Sequence, residues 1–145
     1  MSTGLAVFDT TVRESNSWLA AIQERLRPCT RQQAYAALHA ALHVLRDRLP
    51  PEGALALSAQ LPMLLRGLFL EGWEAGPAGG VRDPDAFCAE IEDRLPPAFP
   101  RDPRSVAEAV FAVLAAKVDP GQARKLLALL PPPLRTLWPK MLWAV

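Results

Sequence analysis

Few residues in the chain have the type and spacing to do chemistry. His39 and His43 are the only histidines and stand four apart, the helical spacing at which two imidazoles can share a metal ion. On a helical wheel they fall roughly 80° and 120° from the centre of the neighbouring apolar stripe, on a flank expected to be partly exposed. A zinc site needs a third or fourth ligand, which the two histidines alone do not supply. The pair therefore reads as surface histidines before it reads as a metal site. Cys29 and Cys88 have no histidine near them in sequence to generate a thiolate; two lone cysteines make no disulfide scaffold and fit a reducing compartment. Glu90, Glu92 and Asp93 spread around one helix beside Arg94, the pattern of a solvated face. The glycines from Gly76 to Gly80 neither follow a strand nor lead into a Lys-Ser/Thr signature, and Ser58 and Ser105 lack the context of a nucleophile elbow. The expectation is a protein that is not an enzyme, with no catalytic residue, metal or cofactor.

One motif occurs twice, as Leu61-Pro62-x-x-Leu65-Arg66 and Leu130-Pro131-x-x-Leu134-Arg135. Proline starts a helix, both leucines face inward, and the arginine projects one position beyond the second. Two roles stay open for Arg66 and Arg135. Each can cap carbonyls of the preceding helix or pair with a carboxylate across a pseudo-two-fold, or each can bind an anion or a partner at the seam between two halves. Of the four tryptophans, Trp18 and Trp138 occupy repeat-matched apolar positions and are expected in the core. Trp73 and Trp143 either seal the ends of the core or form an exposed contact surface.

The repeated motif belongs to a longer internal duplication in which every match has the same offset in numbering. Trp18–Leu26 matches Phe87–Leu95, Pro51–Pro62 matches Pro120–Pro131, and Leu65–Phe69 matches Leu134–Trp138, without a gap. From Trp18 to Phe69, 17 of 52 aligned pairs are identical, and the shared Pro and Arg positions do not follow from helical composition alone. A shift of about half that offset, the period of a tetratricopeptide array, aligns nothing comparable, which rejects such an array. Each half reads as about four helices. The first runs from about Ser15 to Leu26, with Trp18, Ile22 and Leu26 on one stripe, and its copy opens at Asp83-Pro84. The second is capped by Thr30 with Gln33 completing a capping box, and carries Tyr35, Leu38, Leu42, Leu45 and Leu49 as its apolar stripe. Its copy opens at Asp102-Pro103 and is apolar nearly all round, so it is expected to be the more buried of the two. Third helices start at Pro51 and Asp119-Pro120, and fourth helices follow Pro62 and Pro131. The fold class is all-α. The expected organisation is one domain over residues 1–145, with repeat one at about 15–73, a linker at 74–82 and repeat two at about 83–143. Each half alone is marginal for independent folding.

Half of the 145 residues are hydrophobic and 21% are charged, a composition that excludes disorder and suits one globular domain. No run approaches the ~18 apolar residues of a membrane span, and Met1 to Val12 lacks the form of a signal peptide, so a cytoplasmic location is expected. Sixteen basic residues stand against fifteen acidic ones, for a net charge of +1. Neither half carries the one-signed field that nucleic acid or anionic lipid would select. The thirteen arginines against three lysines, with abundant Ala, Leu and Pro, are the bias of a GC-rich, bacterial genome.

The chain resembles the bacterial DUF2267 family of unknown function. The resemblance is carried by Val7-Phe8-Asp9 leading to Trp18-Leu19, by Tyr35 to Leu38, by Leu42-His43 through Pro50, and by Gln60-Leu61-Pro62 through Glu71-Gly72-Trp73. In the second half it continues through Phe111 to Leu114 and Leu130-Pro131 to Leu137-Trp138-Pro139. It implies a helical fold and supplies no activity, cofactor or catalytic residue. The expected function is a non-enzymatic helical module working through a protein partner or self-association. The alternative is a small-ligand or metal-binding protein with an apolar pocket between the repeats, anchored by His39 and His43 or by Arg66 and Arg135.

Overall fold

Residues 6–25 contain neither glycine nor proline, and nothing in them interrupts a helix. In the computed structural model, which describes residues 2–77, 79–80 and 82–143, α1 runs over Ala6–Arg25, starting well ahead of the Ser15 at which the apolar periodicity begins. The extra turns are hidden from a search for an apolar stripe because their inward positions are Thr11 and Ser15, in line with the buried Trp18 and Ile22. The Asp9 carboxylate accepts from the Thr3 amide at 2.7 Å, which anchors the start and holds its pKa below the usual carboxylate value.

The second helix, α2 (Arg31–Asp47), begins on the expected capping box, with Thr30 and Gln33 each accepting from the other's amide. Two short helices follow, α3 (Pro51–Ser58) and α4 (Met63–Leu70), each entered from a proline. Asp83, Asp102 and Asp119 then cap α5 (Pro84–Arg94), α6 (Pro103–Lys117) and α7 (Pro120–Ala128), each accepting from an amide three positions on and each followed by proline at the first helical position. The fourth element of the second half is not an α-helix. Pro132–Leu137 forms a 3-10 helix, followed by a single 3-10 turn at Lys140–Leu142. The position that corresponds to Leu70 of α4 is Pro139 in the second half. A proline there removes an amide and drives the preceding residue to extended geometry, and Trp138 has φ −100° and ψ 161°. Among the described residues there is no strand. Met1, Ala78 and Val81 of the linker, and Ala144 and Val145 of the tail lie outside the described residues.

One hydrophobic cluster draws on all seven helices and both 3-10 segments. Trp18, Ile22, Leu38, Leu42, Leu45, Phe69, Phe87, Ile91, Phe111, Leu114 and Leu127 are at most 4% exposed, and burying each aliphatic or phenyl side chain contributes roughly 1.5–3 kcal/mol. Trp138 stacks on Phe111 with centroids 4.4 Å apart and planes 8° from parallel. The helix enclosed most completely is α2, packed by α1, α4, α5 and α6. Ten of its 17 residues are buried, against seven of 15 in α6, the reverse of the expected order. Apolarity all round did not decide the matter, because α2 also buries two polar residues by giving them partners. Tyr35, placed on the apolar stripe by its spacing, is 50% exposed, since Ala34, Ala37 and Leu38 around it take the inward positions of these turns.

Candidate functional site

The buried polar residues of α2 are His43 and Arg46, three apart, and both turn toward the C-terminal end of α4. The His43 Nε2–H donates to the Leu68 carbonyl at 2.7 Å. Arg46 Nη1 donates to the carbonyls of Phe69 at 3.0 Å and Glu71 at 2.8 Å, while its Nε pairs with Asp47 at 3.1 Å. A helix end leaves its last carbonyls without backbone donors, and here the side chains of the neighbouring helix supply them. His43 is therefore not on a half-exposed flank but 6% exposed, because α4 closes over it. Burial, reinforced by the nearby guanidinium of Arg46, holds its pKa below the ordinary imidazole value despite the opposing hydrogen bond to Leu68. His39 is half-buried one turn earlier, with ring centroids 4.2 Å apart. His43 can turn Nε2 to a metal only by giving up the Leu68 carbonyl, and among the described residues no cluster of three or more His, Cys, Asp or Glu could hold an ion.

The two repeated arginines make the same local bond. Arg66 Nε donates to the Ser58 carbonyl and Arg135 Nε to the Leu127 carbonyl, both at 3.1 Å. The constant sequence offset that aligns Arg66 with Arg135 also aligns Ser58 with Leu127, so donor and acceptor correspond alike. Both bonds fasten the last turn of a preceding short helix, the capping geometry left open by the sequence. The motif leucines Leu61, Leu65, Leu130 and Leu134 are all buried. Trp18 and Trp138 lie in the core as expected, Trp73 is half-buried against it, and Trp143 is 39% exposed while its indole N–H donates to the Trp138 carbonyl at 2.9 Å.

Other side chains fall differently from the sequence pattern. Glu90 is no freely solvated carboxylate: it lies 3.3 Å from Arg48, and Arg94 pairs with Asp47 at 3.1 Å, so the end of α2 is tied to α5. Burial raises the thiol pKa of Cys29 and of Cys88, which leaves both as poor nucleophiles at neutral pH. An apolar pocket of about 360 Å³ lies between α3 and α7, lined by Leu57, Val118, Leu126 and Leu129. None of His39, His43, Arg66 and Arg135 lines it; His43 is held by α4 and the arginines against helix ends. On the outer surface Leu5, Phe8 and Val12 are 53%, 46% and 36% exposed along one side of α1. The Leu64 amide donates to Thr11 Oγ1 at 3.1 Å, which sets the equally exposed Met63 and Leu64 beside the same turns. Arg46 and Arg48 escaped the sequence reading; their only signal was a charged triplet, Arg46-Asp47-Arg48, at the end of an otherwise apolar helix.

Residues 15–137 match the family model described as an uncharacterized conserved protein, DUF2267. The match leaves outside it Val7-Phe8-Asp9 and Trp138-Pro139, which the resemblance had included. No curated protein matches the chain. Among the described residues no helix is long and apolar enough to cross a membrane.

Proposed function

The chain belongs to the DUF2267 family, and on that premise we propose that it is a non-enzymatic helical module acting through contact with another protein chain, in the first instance a second copy of itself. The observation that carries this reading is the row Leu5, Phe8 and Val12 on α1 beside Met63 and Leu64 of α4, all large apolar side chains left open to water. Apolar groups gathered on one face mark contact surfaces more often than groups scattered singly. Asp9 and Arg13, one turn apart at the edge of this face, bring both signs of charge to it, so two copies meeting antiparallel can set each sign against its opposite. Trp143 and the 79% exposed Met141 form a second, smaller apolar edge; Trp73 lies against the core and contributes less.

In the same reading the molecule is one domain built from two copies of a four-element unit. This is supported by the constant offset of the duplicated sequence, by the corresponding ends of α1 at Arg25 and α5 at Arg94, and by the paired bonds of Arg66 and Arg135. The module works in the cytoplasm, with no cofactor and no nucleic acid or membrane partner, in keeping with its net charge of +1.

The test is molar mass by light scattering across a wide concentration range, for the wild type and for Phe8→Asp/Val12→Asp. A dimer that the double substitution converts to a folded monomer is the expected result. A wild type that stays monomeric throughout sinks the self-contact, and a dimer insensitive to the substitutions moves it off α1. Truncation after Pro139 is expected to leave the dimer intact.

A further inference from the structure

Arg48 stands at the C-terminal end of α2 with its side chain only 9% exposed. Nη2 reaches Glu90 Oε2 at 3.3 Å, but Nε and Nη1 are buried with no hydrogen-bond partner among the described residues. Buried guanidinium N–H groups without acceptors are rare and costly, and each calls for an explanation. Arg48 lines a half-open pocket of about 320 Å³ together with Arg82, Arg135, Gly79, Gly80 and the turn from Ala128 to Pro132. Three guanidinium groups thus border one cavity, and among the described residues no acidic side chain lines it. Glu90, behind Arg48, offsets one of the three charges and leaves a surplus of two. Arg135 is held in place by its Nε bond to the Leu127 carbonyl, and Arg82 makes no hydrogen bond or ion pair among the described residues. Gly80, at φ +88°, presses its backbone onto the guanidinium; a Cβ there would fall 1.2 Å from Arg48 Nη1. Only glycine permits that approach and that backbone angle.

We propose that this pocket binds a small phosphate-bearing molecule, with Arg48 and Arg82 gripping the phosphate oxygens and Arg135 completing the ring of positive charge. Guanidinium groups match phosphate oxygens in geometry and charge, and a phosphate oxygen drawn to Arg48 gives an acceptor to one of the two N–H groups that lack one; these two point to different sides of the guanidinium, and Nη2 between their forks is held by Glu90. A phosphomonoester carries close to two negative charges near neutral pH, equal to the surplus. The volume sits at the small end of ligand pockets, room for a phosphate with a compact organic group. This site is separate from the apolar face on α1 and stands or falls independently of it.

The probes are inorganic phosphate and phenyl phosphate, titrated by calorimetry into the full-length protein at constant ionic strength, with chloride as the control. One equivalent is expected to bind and to raise the melting temperature. Arg82→Ala, an exposed position whose loss leaves the fold intact, weakens binding about tenfold or more. Arg48→Lys keeps the charge but loses the fork, and weakens it comparably. Arg66→Ala, the counterpart of Arg135 away from the pocket, leaves binding unchanged. Tighter binding of phenyl phosphate than of phosphate identifies a phosphomonoester as the ligand class; equal binding identifies the inorganic ion. Heat and melting shifts no larger than those of chloride overturn the proposal, as does binding that Arg82→Ala and Arg48→Lys leave unaltered.

Discussion

Phe69 and Trp138 align with each other when the two halves of the sequence are set at their constant offset. Both are buried, and the backbone carbonyl of each accepts one side-chain hydrogen bond, but from donors of different kind. At Phe69 the donor is Arg46, reaching across from α2; at Trp138 it is the indole of Trp143, from the chain's own tail. The counterparts of His43 and Arg46 in the second half are Ala112 and Ala115, whose side chains have nothing to donate. The same contrast holds at the two cavities bordering Arg48 and Lys117, another aligned pair. Arg48 keeps unpaired N–H groups among arginines, whereas Lys117 donates to Ser17 Oγ at 3.1 Å in a pocket that also contains Glu14. Buried leucines recur at aligned positions, Leu61 with Leu130 and Leu65 with Leu134, and the aligned stretches part where a charged or hydrogen-bonding side chain must be satisfied. A core position accepts any apolar group of suitable volume, but a buried donor fixes both its own identity and that of its acceptor.

Arg46→Ala makes the first half resemble the second and is the most disruptive change. It strands the buried Phe69 carbonyl and the part-buried Glu71 carbonyl and opens a cavity, at about 3 kcal/mol of stability. Urea unfolding measures this, and a loss below about 1 kcal/mol means the carbonyls find water and the contrast between the halves is unimportant. His43→Ala follows at about 2 kcal/mol. It also changes the pH response. Burial lowers the folded pKa of His43, so the unfolded chain takes up its proton first as pH falls below about 6.5. The histidine's share of stability is complete above that pH and is lost as pH falls through the folded value. The wild type is therefore expected to destabilise on acidification through this window more steeply than His43→Ala; identical slopes would show that α4 does not cover the imidazole. The smallest effects test likeness rather than difference. Arg66→Ala and Arg135→Ala each remove one bond to a helix-end carbonyl and are expected to cost about 1 kcal/mol apiece. Thermal unfolding that separates them by more than that would break the equivalence of the two motifs.

Helix starts were legible because proline, aspartate and threonine caps act within one turn: Thr30, Asp83, Asp102 and Asp119 all cap as their spacing predicts. The first turns of α1 were not, since Thr11 and Ser15 face inward without being apolar. The 3-10 segment was half legible, as Pro139 was visible but its consequence depended on where the preceding helix had to end. Of the site residues, the arginines of the repeated motif were found from sequence and their capping role was among the readings it allowed. Arg48 was missed, because nothing along the chain tells which charged residue will be enclosed.

The sequence by itself determined the helical class, the cap positions and the inward leucines. All of these are consequences of interactions within a few turns or of simple periodicity. Only the tertiary structure decided that His43 and Arg46 hold the end of α4, that Trp143 holds the carbonyl of Trp138, and that Gly80 of the linker meets Arg48 at the end of α2. Those outcomes depend on which donor and acceptor are excluded from water together, and that exclusion exists only once the helices have packed.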